Sequence, residues 1–221
     1  MKSERDLYII GAGGFGREVA WLVERINSIE PTWNLKGFID DNSLYHGTIE
    51  NGYSVIGGCE YLHELNHDIW VVCAVGSANI RKAIVRKLEK IPHVNFATLI
   101  DPSVIISKYV SIGEGTIICA GTILTVNITM GKHVIVNLDC TLGHNDSIDN
   151  FVTIYPSVNV SGNVTIGECV ELGTGTQIIQ GKNIGMGSVI GAGAVVIRDI
   201  PEYCTAVGNP AKVIKIKSKE C

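Results

Sequence analysis

The sequence is poor in basic charge, in long apolar runs and in closely paired cysteines. Its 18 lysines and arginines are outnumbered by 22 acidic residues, and no basic block with interleaved aromatic side chains occurs, which argues against a nucleic-acid partner. No stretch approaches the ~18 apolar residues that a membrane-spanning helix needs, and the start of the chain lacks the apolar segment of a signal peptide. We therefore expect a cytoplasmic protein without membrane insertion.

Cysteines are present in an odd number, seven, and no two of them form a CxxC pair. They are Cys59, Cys73, Cys119, Cys140, Cys169, Cys204 and Cys221. This scatter suits neither a disulfide framework nor a zinc site, so we expect reduced thiols that pack in the core.

The first part of the chain alternates strand and helix patterns. The apolar run "LYII" leads into "GAGGFG" and then into the amphipathic "REVAWLVERINS". The segments "LKGFIDD" and "IWVVCAVGS" are typical of further strands, and "ANIRKAIVRKLEKI" follows as a helix with Ile80, Ile84 and Leu88 on one face. With at most four strands and crossover helices, residues 1–97 are predicted to form a small parallel α/β sheet, half of a Rossmann-like fold.

From Leu99 onward the period changes to six residues. The second position is aliphatic or methionine in all seventeen hexads, from Ile100 to Val196, without an insertion. A period of six does not return a 3.6-residue helix to the same face, so the pattern predicts a parallel β-helix over residues 98–221. Three hexads make one coil, which stacks residues 18 apart at about the 4.8 Å spacing of neighbouring strands.

Motifs that follow one another along the chain make it similar to a known family. They are "GAGGFGRE", "FIDD", "AVGSANIRK", the N-x6-H spacing of Asn137 and His144, "SGNVTIGE", "VIGAGAVVIRDIP" and "VGNPAK". With them the sequence resembles the hexapeptide-repeat sugar acyltransferases of the sialic acid O-acetyltransferase and nucleotide-amino-sugar N-acetyltransferase family, whose repeat forms a left-handed β-helix. The resemblance implies a homotrimer with active sites between subunits, acetyl-CoA as co-substrate, a nucleotide-sugar substrate and a role in surface polysaccharide biosynthesis.

His144 lies in the stretch "NLDCTLGHNDSIDN" and is the last histidine of the chain. Val126 lies 18 residues before it and Gly162 lies 18 residues after it, so we expect an open space above the imidazole for a ligand. The resemblance places the catalytic histidine of the family here. Because imidazole, with an ordinary pKa near ~6.5, can accept the proton of an attacking sugar amine, His144 is the predicted general base. A main-chain N–H at Gly143 or Gly162 is expected to stabilise the thioester oxyanion.

The sequence does not decide which residue orients the imidazole of His144. In related enzymes an acidic residue commonly follows the histidine, whereas here that position is Asn145 and the carboxylate comes one residue later, at Asp146. Asn145 can hydrogen-bond the imidazole but cannot offset its positive charge. Alternatively, Asp146 turns inward or Asp139 reaches across from the preceding hexad.

The resemblance also implies which residues hold the two substrates. For the nucleotide-sugar they are Gly13, Gly14, Phe15, Asp40, Asp41, Gly76 and Asn137, and for acetyl-CoA they are Thr153, Gly162 and Thr174. Phe15 departs from family members that carry a histidine there, so its ring can pack on the sugar but cannot move a proton. The "GAGA" of residues 191–194 and the "NPAK" of residues 209–212 are expected to border the coenzyme.

The glycine-rich turn admits a second interpretation. "GAGGFG" followed by Asp40 is a complete dinucleotide-binding pattern, which by itself favours NAD. However, the α/β part ends near Asn95, at about half the length of a full dinucleotide fold, and no hydride-transfer residues are evident. The same glycines let the backbone approach a sugar-nucleotide, with its phosphates near the helix N-terminus.

The histidines and cysteines of the repeat favour neither zinc chemistry nor a cysteine nucleophile. β-Helical carbonic anhydrases bind zinc through three histidines, whereas the repeat offers only His133 and His144, so no metal is expected. Cys140 ends its hexad as Val134 does, which favours a packed thiol over an acyl-enzyme nucleophile.

Together these features predict direct transfer of acetyl from acetyl-CoA to the amine of a nucleotide-linked amino sugar, a 4-amino-4,6-dideoxyhexose, in a ternary complex. The alternatives are O-acetylation of a sugar such as sialic acid, a non-catalytic nucleotide-sugar-binding trimer and an NAD oxidoreductase.

Overall fold

The computed structural model describes residues 4–216, and the chain divides between Pro102 and Ser103 into two compact units. The sequence pattern places the boundary earlier, after residue 97. The first hexad packs with the first unit because both oxygens of the buried Asp101 carboxylate accept from the guanidinium of Arg25, one of them at 2.9 Å. Six of the cysteines are free thiols, five of them buried; Cys221 lies outside the described residues.

The first unit contains seven strands and two α-helices among its described residues. The strands are β1 (Arg5–Ile10), β2 (Trp33–Ile39), β3 (Ile49–Glu50), β4 (Tyr53–Gly57), β5 (Ile69–Cys73), β6 (Val94–Phe96) and β7 (Leu99–Ile100). The α-helices are α1 (Gly14–Ile29) and α2 (Ala78–Leu88), and short 3-10 helices span Ser43–Tyr45 and Cys59–Glu64. The predicted alternation of strands and helices is therefore present.

Six of these strands form one sheet in the order β3-β4-β2-β1-β5-β6, parallel except for the pair β3–β4. The prediction of at most four strands was wrong. The "YSVIG" of β4 stands between turns and the "VNF" of β6 has three residues, so neither is long enough to show a period. Because β1, β2 and β5 are parallel, the residues that follow them meet at one edge of the sheet.

Each hexad of the repeat forms one two-residue strand, which confirms the predicted period. After β7 the strands are β8 (Ile105–Ile106), β9 (Ser111–Ile112), β10 (Ile117–Ile118), β11 (Ile123–Leu124), β12 (Thr129–Met130), β13 (Ile135–Val136), β14 (Thr141–Leu142), β15 (Ser147–Ile148), β16 (Thr153–Ile154), β17 (Asn159–Val160), β18 (Thr165–Ile166), β19 (Glu171–Leu172), β20 (Gln177–Ile178), β21 (Asn183–Ile184), β22 (Val189–Ile190) and β23 (Val195–Val196). A hairpin of β24 (Cys204–Val207) and β25 (Lys212–Ile216) follows, with "NPA" in its turn.

The second unit is a β-helix of three sheets, which are parallel except for the pair β24–β25. Their strand orders are β25-β24-β22-β19-β16-β13-β10, β23-β20-β17-β14-β11-β8 and β21-β18-β15-β12-β9. Every pair within the repeat joins residues 18 apart, as in Thr141 with Asn159. From Ile118 to Val196 the second residue of each hexad is buried, whereas Ile106 in the first coil is 39% exposed because no coil lies below it. The predicted fold class is confirmed.

Candidate active site

The imidazole of His144 lies on the surface of the β-helix, in the corner that follows β14. Its Nδ1 is 3.0 Å from Oδ1 of Asn145. An amide oxygen only accepts hydrogen bonds, so Nδ1 carries the hydrogen and Nε2 keeps its lone pair. Nε2 is therefore the atom of His144 that can accept a proton.

Asn145 is the neighbour that contacts the imidazole of His144. Its backbone has φ 64°, a left-handed conformation that asparagine tolerates better than most residues, and its N–H donates to the Val126 carbonyl at 3.1 Å. The tight corner thus directs the side chain of Asn145 toward the ring. Asp139 lies in another corner of the coil, where its Oδ2 accepts from the Ser157 hydroxyl at 3.4 Å.

Gly162 has no side chain, and this leaves space for the imidazole of His144. A Cβ atom on Gly162 would lie 2.6 Å from Cε1 and Nε2 of His144, which no side chain can do without displacing the ring. The expectation of an open space above His144 was wrong, because the imidazole itself fills the space that the missing side chain leaves. The His144 carbonyl also accepts from the Asn163 N–H at 2.8 Å, so the two coils are joined at this point.

Asp146 faces the interior of the β-helix and is 1% exposed. Its Oδ1 accepts from the Val164 N–H at 2.9 Å. Burial raises the pKa of Asp146 to about 7, although the backbone N–H groups of Val164 and Gly143 and the nearby His144 act in the opposite direction. Asp146 is therefore an interior carboxyl and not the ring's hydrogen-bond partner.

The residues expected to hold acetyl-CoA are not brought together within the β-helix unit. Thr174 is exposed, but it lies in the corner after β19, a different side of the coil from His144. Thr153 is 1% exposed, which leaves its side chain no surface for a coenzyme, so the structure does not support that expectation. Asn137 is 8% exposed, and its Oδ1 accepts from the Leu138 N–H at 2.7 Å, which makes it a corner residue.

The first unit contains a pocket of about 560 Å³ at the edge where β1, β2 and β5 end. Its polar lining residues are Asp40, Asp41, Cys59, Asn79 and Lys87. Apolar walls come from α2, where Ile80, 56% exposed, and Ile84 face the pocket. The buried face of this helix includes Val85 and Leu88, so the apolar spacing of Ile80, Ile84 and Leu88 does not mark a single buried stripe.

The two predicted aspartates shape the rim of this pocket. Asp40 accepts from the Ala12 N–H through Oδ2 and from the Asn42 N–H through Oδ1, both at 2.9 Å. Asp41 accepts from the Cys59 N–H at 2.9 Å. Each carboxylate therefore ties together loops that follow different strands, in addition to facing the pocket.

The glycine-rich turn is divided between open and packed positions. Gly13 caps α1 and Gly14 begins it, and a Cβ on either would meet nothing within 4 Å. Gly16 is required for packing, since its Cβ would lie 1.9 Å from the Gly11 carbonyl oxygen. Phe15 is half-buried and, like Gly13 and Gly14, is not part of the pocket lining.

Gly76 is positioned by a residue that the sequence reasoning missed. The guanidinium of Arg81, which is 1% exposed, donates to the Val75 carbonyl at 2.7 Å and to the Gly76 carbonyl at 3.0 Å. Its spacing to Val85 and Leu88, four and seven residues on, places Arg81 on the buried helix face, and this is the signal that could have found it.

Cys140 is buried, and its thiol donates to the Tyr155 carbonyl at 3.3 Å. Burial raises the pKa of Cys140 to about 11, so the thiolate needed for nucleophilic attack is disfavoured at neutral pH. Across residues 4–216, no helix is both long and apolar enough to span a membrane, and no three His, Cys, Asp or Glu side chains group as metal ligands.

Known proteins resemble both units. Residues 6–88 match the family model of the PglD N-terminal domain. Over nearly the whole chain, the structure matches the acetyltransferase domain of PglB from Neisseria gonorrhoeae FA1090 in complex with acetyl coenzyme A, with 33% identity and a TM-score of 0.87 over 96% of this chain and 100% of that one. The chain belongs to the hexapeptide-repeat sugar N-acetyltransferase family. It is therefore an acyltransferase with the left-handed β-helix of that family, as the sequence resemblance implied.

Two further similar proteins have names that include an amino sugar. The chain is 36% identical over 120 residues to UDP-N-acetylbacillosamine N-acetyltransferase of Bacillus subtilis, and the match covers 52% of each, so the chain spans about half the length of that curated relative. A histidine-to-asparagine mutant of perosamine N-acetyltransferase from Caulobacter crescentus, in complex with CoA and GDP-perosamine, is 26% identical with a TM-score of 0.86, over 97% of this chain and 98% of that one.

Proposed function

We propose that this acetyltransferase moves acetyl from acetyl-CoA to the amine of a nucleotide-linked amino sugar, the 4-amino group of a 4-amino-4,6-dideoxyhexose, for surface polysaccharide biosynthesis. The observation that carries the proposal is the exposed His144, whose Nδ1 lies 3.0 Å from Oδ1 of Asn145, an arrangement that leaves Nε2 to face a substrate. The relatives named for UDP-N-acetylbacillosamine and for perosamine support an amino-sugar acceptor.

His144 acts as the general base in direct transfer. The sugar amine attacks the thioester carbonyl carbon, a C–N bond forms, and Nε2 of His144 takes the proton that the nitrogen must lose. The tetrahedral intermediate then collapses, the C–S bond breaks, and the coenzyme A thiolate takes the proton back from the imidazolium. Asn145 keeps Nε2 turned toward the amine, but as a neutral amide it leaves the imidazolium charge uncompensated.

Gly162 is the oxyanion donor that we assign. Of the two candidates, Gly143 already donates its N–H to the Val160 carbonyl at 2.9 Å. The Gly162 N–H belongs to the residue that packs against the imidazole, so it is close to the atom that accepts the proton. A donor placed there stabilises the charge that develops on the thioester oxygen.

We assign the nucleotide part of the substrate to the pocket of the first unit. Lys87 supplies positive charge there, and Gly13 and Gly14 leave the N-terminal turn of α1 open to phosphate. Asp40 and Asp41 offer acceptors to hydroxyl or amide donors on the nucleoside.

We further propose a cytoplasmic homotrimer with active sites between neighbouring β-helices. The exposed apolar side chains of Val126, Ile179 and Ile197 stand in the same columns of the β-helix as His144 and Gly143, and association would cover them. The free thiols suit a reducing compartment. Light scattering on a sizing column tests the assembly: three times the chain mass supports it, and the chain mass alone contradicts it.

The reaction is tested with labelled acetyl-CoA and a panel of UDP-, GDP- and dTDP-linked 4-amino sugars together with sialic acid. We expect label in an amino sugar and a loss of about 10²–10⁴-fold in kcat for His144→Ala. Lys108→Ala is the matched control, because Lys108 is an exposed residue at the same hexad position in a lower coil of the same corner. Full activity in His144→Ala rejects the general base.

The panel also decides between the alternatives. Label in sialic acid alone would mean O-acetylation. Nucleotide-sugar binding without any transfer would mean a binding protein, and submicromolar affinity for NAD in a titration would favour the oxidoreductase.

A further inference from the structure

From Thr116 to Ile200 the sixth residue of every hexad except Lys182 is buried in the β-helix, and several of the polar side chains at this position bridge to the next coil. Four of these hydroxyls and thiols lie within hydrogen-bond distance of the carbonyl 15 positions on. Ser188 instead donates to the Pro201 carbonyl, 13 positions on, and the Thr176 hydroxyl has a shorter contact, 2.7 Å, with the Gly173 carbonyl. The pairs are Thr116 with Gly131 (3.2 Å), Thr122 with Asn137 (3.0 Å), Cys140 with Tyr155 (3.3 Å) and Thr176 with Gly191 (3.3 Å). A sixth-position side chain in this repeat therefore serves as an interior donor.

Thr116 shows the complete bridge. Besides donating to Gly131, its hydroxyl accepts from the N–H of Val134, 18 residues on, at 3.2 Å. Asp146 occupies the same hexad position, and its Oδ1 accepts from Val164, also 18 residues on. The first half of the bridge is therefore in place at Asp146.

The second half of the bridge is the hydrogen bond that the side chain donates, and it is missing only if Asp146 is charged. Oδ2 of Asp146 is buried and has no hydrogen-bond partner among the described residues. The register of the other bridges assigns it the Ser161 carbonyl, 15 positions on. A carboxylate has no hydrogen to donate and would face that oxygen with a like charge, whereas a protonated carboxyl can donate to it as Thr116 donates to Gly131.

The surroundings favour the neutral form. The residues stacked directly below and above Asp146 are Ile128 and Val164, both buried and apolar. The titratable group that acts on it is the exposed His144 on its own turn, whereas Lys182, two coils up in the same column, is half-exposed and separated from it by Val164. Burial raises the pKa of Asp146 from its ordinary 3.8 to about 7, and this effect outweighs the N–H groups of Val164 and Gly143 and the nearby His144, which lower it.

We propose that Asp146 works as a neutral carboxylic acid whose Oδ2–H donates to the Ser161 carbonyl and so positions the Ser161–Gly162 peptide beside His144. In a trans peptide the C=O and N–H groups point to opposite sides, so a carbonyl held inward turns the Gly162 N–H outward, and the hydrogen bond polarises it. Asp146 is thus a positioning residue for the oxyanion donor. This role rests on the proposed function; the protonation state does not.

The protonation state is tested by stability. An acid with a raised pKa in the folded protein contributes its full stability below about pH 4 and loses it progressively as the pH rises through about 7. We expect the thermal midpoint of wild type to fall between pH 5 and pH 8 by several degrees more than that of Asp146→Asn, whose amide makes both halves of the bridge at any pH. Equal falls in the two proteins would overturn the neutral acid.

The positioning role is tested by kinetics. Asp146→Asn and Asp146→Thr keep a donor and an acceptor, so we expect kcat within about threefold of wild type at pH 7 and activity that persists further into alkaline pH. Asp146→Val keeps the shape without the bridge, and we expect kcat to fall about 10- to 100-fold with KM for both substrates nearly unchanged. The matched control is Thr116→Val, which removes the same kind of bridge away from His144 and should leave kcat unchanged.

The outcomes separate the two proposals. If Asp146→Asn is as slow as Asp146→Val, a carboxylate is required and the neutral acid is wrong; if Asp146→Val keeps full kcat, the positioning role is wrong. Full activity in His144→Ala would instead overturn the general base, and the midpoints of wild type and Asp146→Asn would still decide the protonation of Asp146.

Discussion

The two units of this acetyltransferase bring polar groups that are distant in sequence together in different ways. In the β-helix, contacts follow the register: Asp146 bonds Val164, 18 residues on, and Gly162 packs on His144 at the same spacing. In the α/β unit the bond between Ala12 and Asp40 spans 28 residues, and it depends on two strands lying side by side. A repeat thus turns spatial neighbours into a sequence interval, which an α/β sheet does not.

The units also use glycine differently. Gly16 lets one backbone approach another at the start of a helix, whereas Gly162 lets a functional side chain lie over a backbone. The first use serves packing, and the second places the side chain that we propose as the general base. Substitutions at these glycines therefore separate the two units experimentally.

The largest effect is expected for Gly162→Ala. A methyl group there meets the imidazole at 2.6 Å and displaces it, and a shift of about 1 Å in a catalytic group can cost about 10²-fold in kcat. The double variant Gly162→Ala with His144→Ala should recover the thermal midpoint that Gly162→Ala loses. An equal loss of midpoint in both backgrounds would mean that the methyl clashes with something other than the ring.

A smaller effect, on stability alone, is expected in the α/β unit. Gly16→Ala places a methyl 1.9 Å from the Gly11 carbonyl oxygen and should lower the free energy of unfolding by about 1–3 kcal/mol. Gly14→Ala is the matched control, because its methyl meets nothing within 4 Å, and we expect no loss. Urea unfolding of both variants checks this, and equal stabilities would show that the turn does not need Gly16.

The smallest effect is expected for Asn145→Ala, about five- to tenfold in kcat, since the imidazole remains but loses the acceptor that fixes its tautomer. Asn127→Ala controls for backbone strain, because Asn127 has a similar φ of 56° one coil below and does not hold the ring. If both variants lose the same activity, the contribution of Asn145 is conformational and not a contact with His144.

Much of the fold could be predicted from the periodicity of the sequence. The seventeen hexads predicted the β-helix because every inward position repeats under the same burial constraint. The α/β sheet was harder to predict from the sequence, since β4 and β6 are too short to show a period. The spacing of Ile80 and Ile84 did not show that they line a pocket, because an apolar face looks the same in sequence whether it packs on a sheet or lines a pocket.

For the site, the 18-residue spacing indicated that His144 and Gly162 are neighbours, but it did not show how the imidazole lies against the glycine. The expected cavity is filled by the imidazole because the ring folds back over Gly162, a rotamer that no spacing encodes. Thr153 was assigned to the coenzyme by motif alone, yet its side chain is buried.

The sequence by itself determined the repeat, its register and the residue types stacked in each column, because a six-residue period leaves the chain one way to bury its aliphatic residues. Only the tertiary structure decided that Asn145 holds the ring, that Asp146 turns into the core and that Gly16 rather than Gly14 is packed. Those choices depend on φ angles, side-chain rotamers and the approach of distant backbone, which neighbouring coils and strands impose.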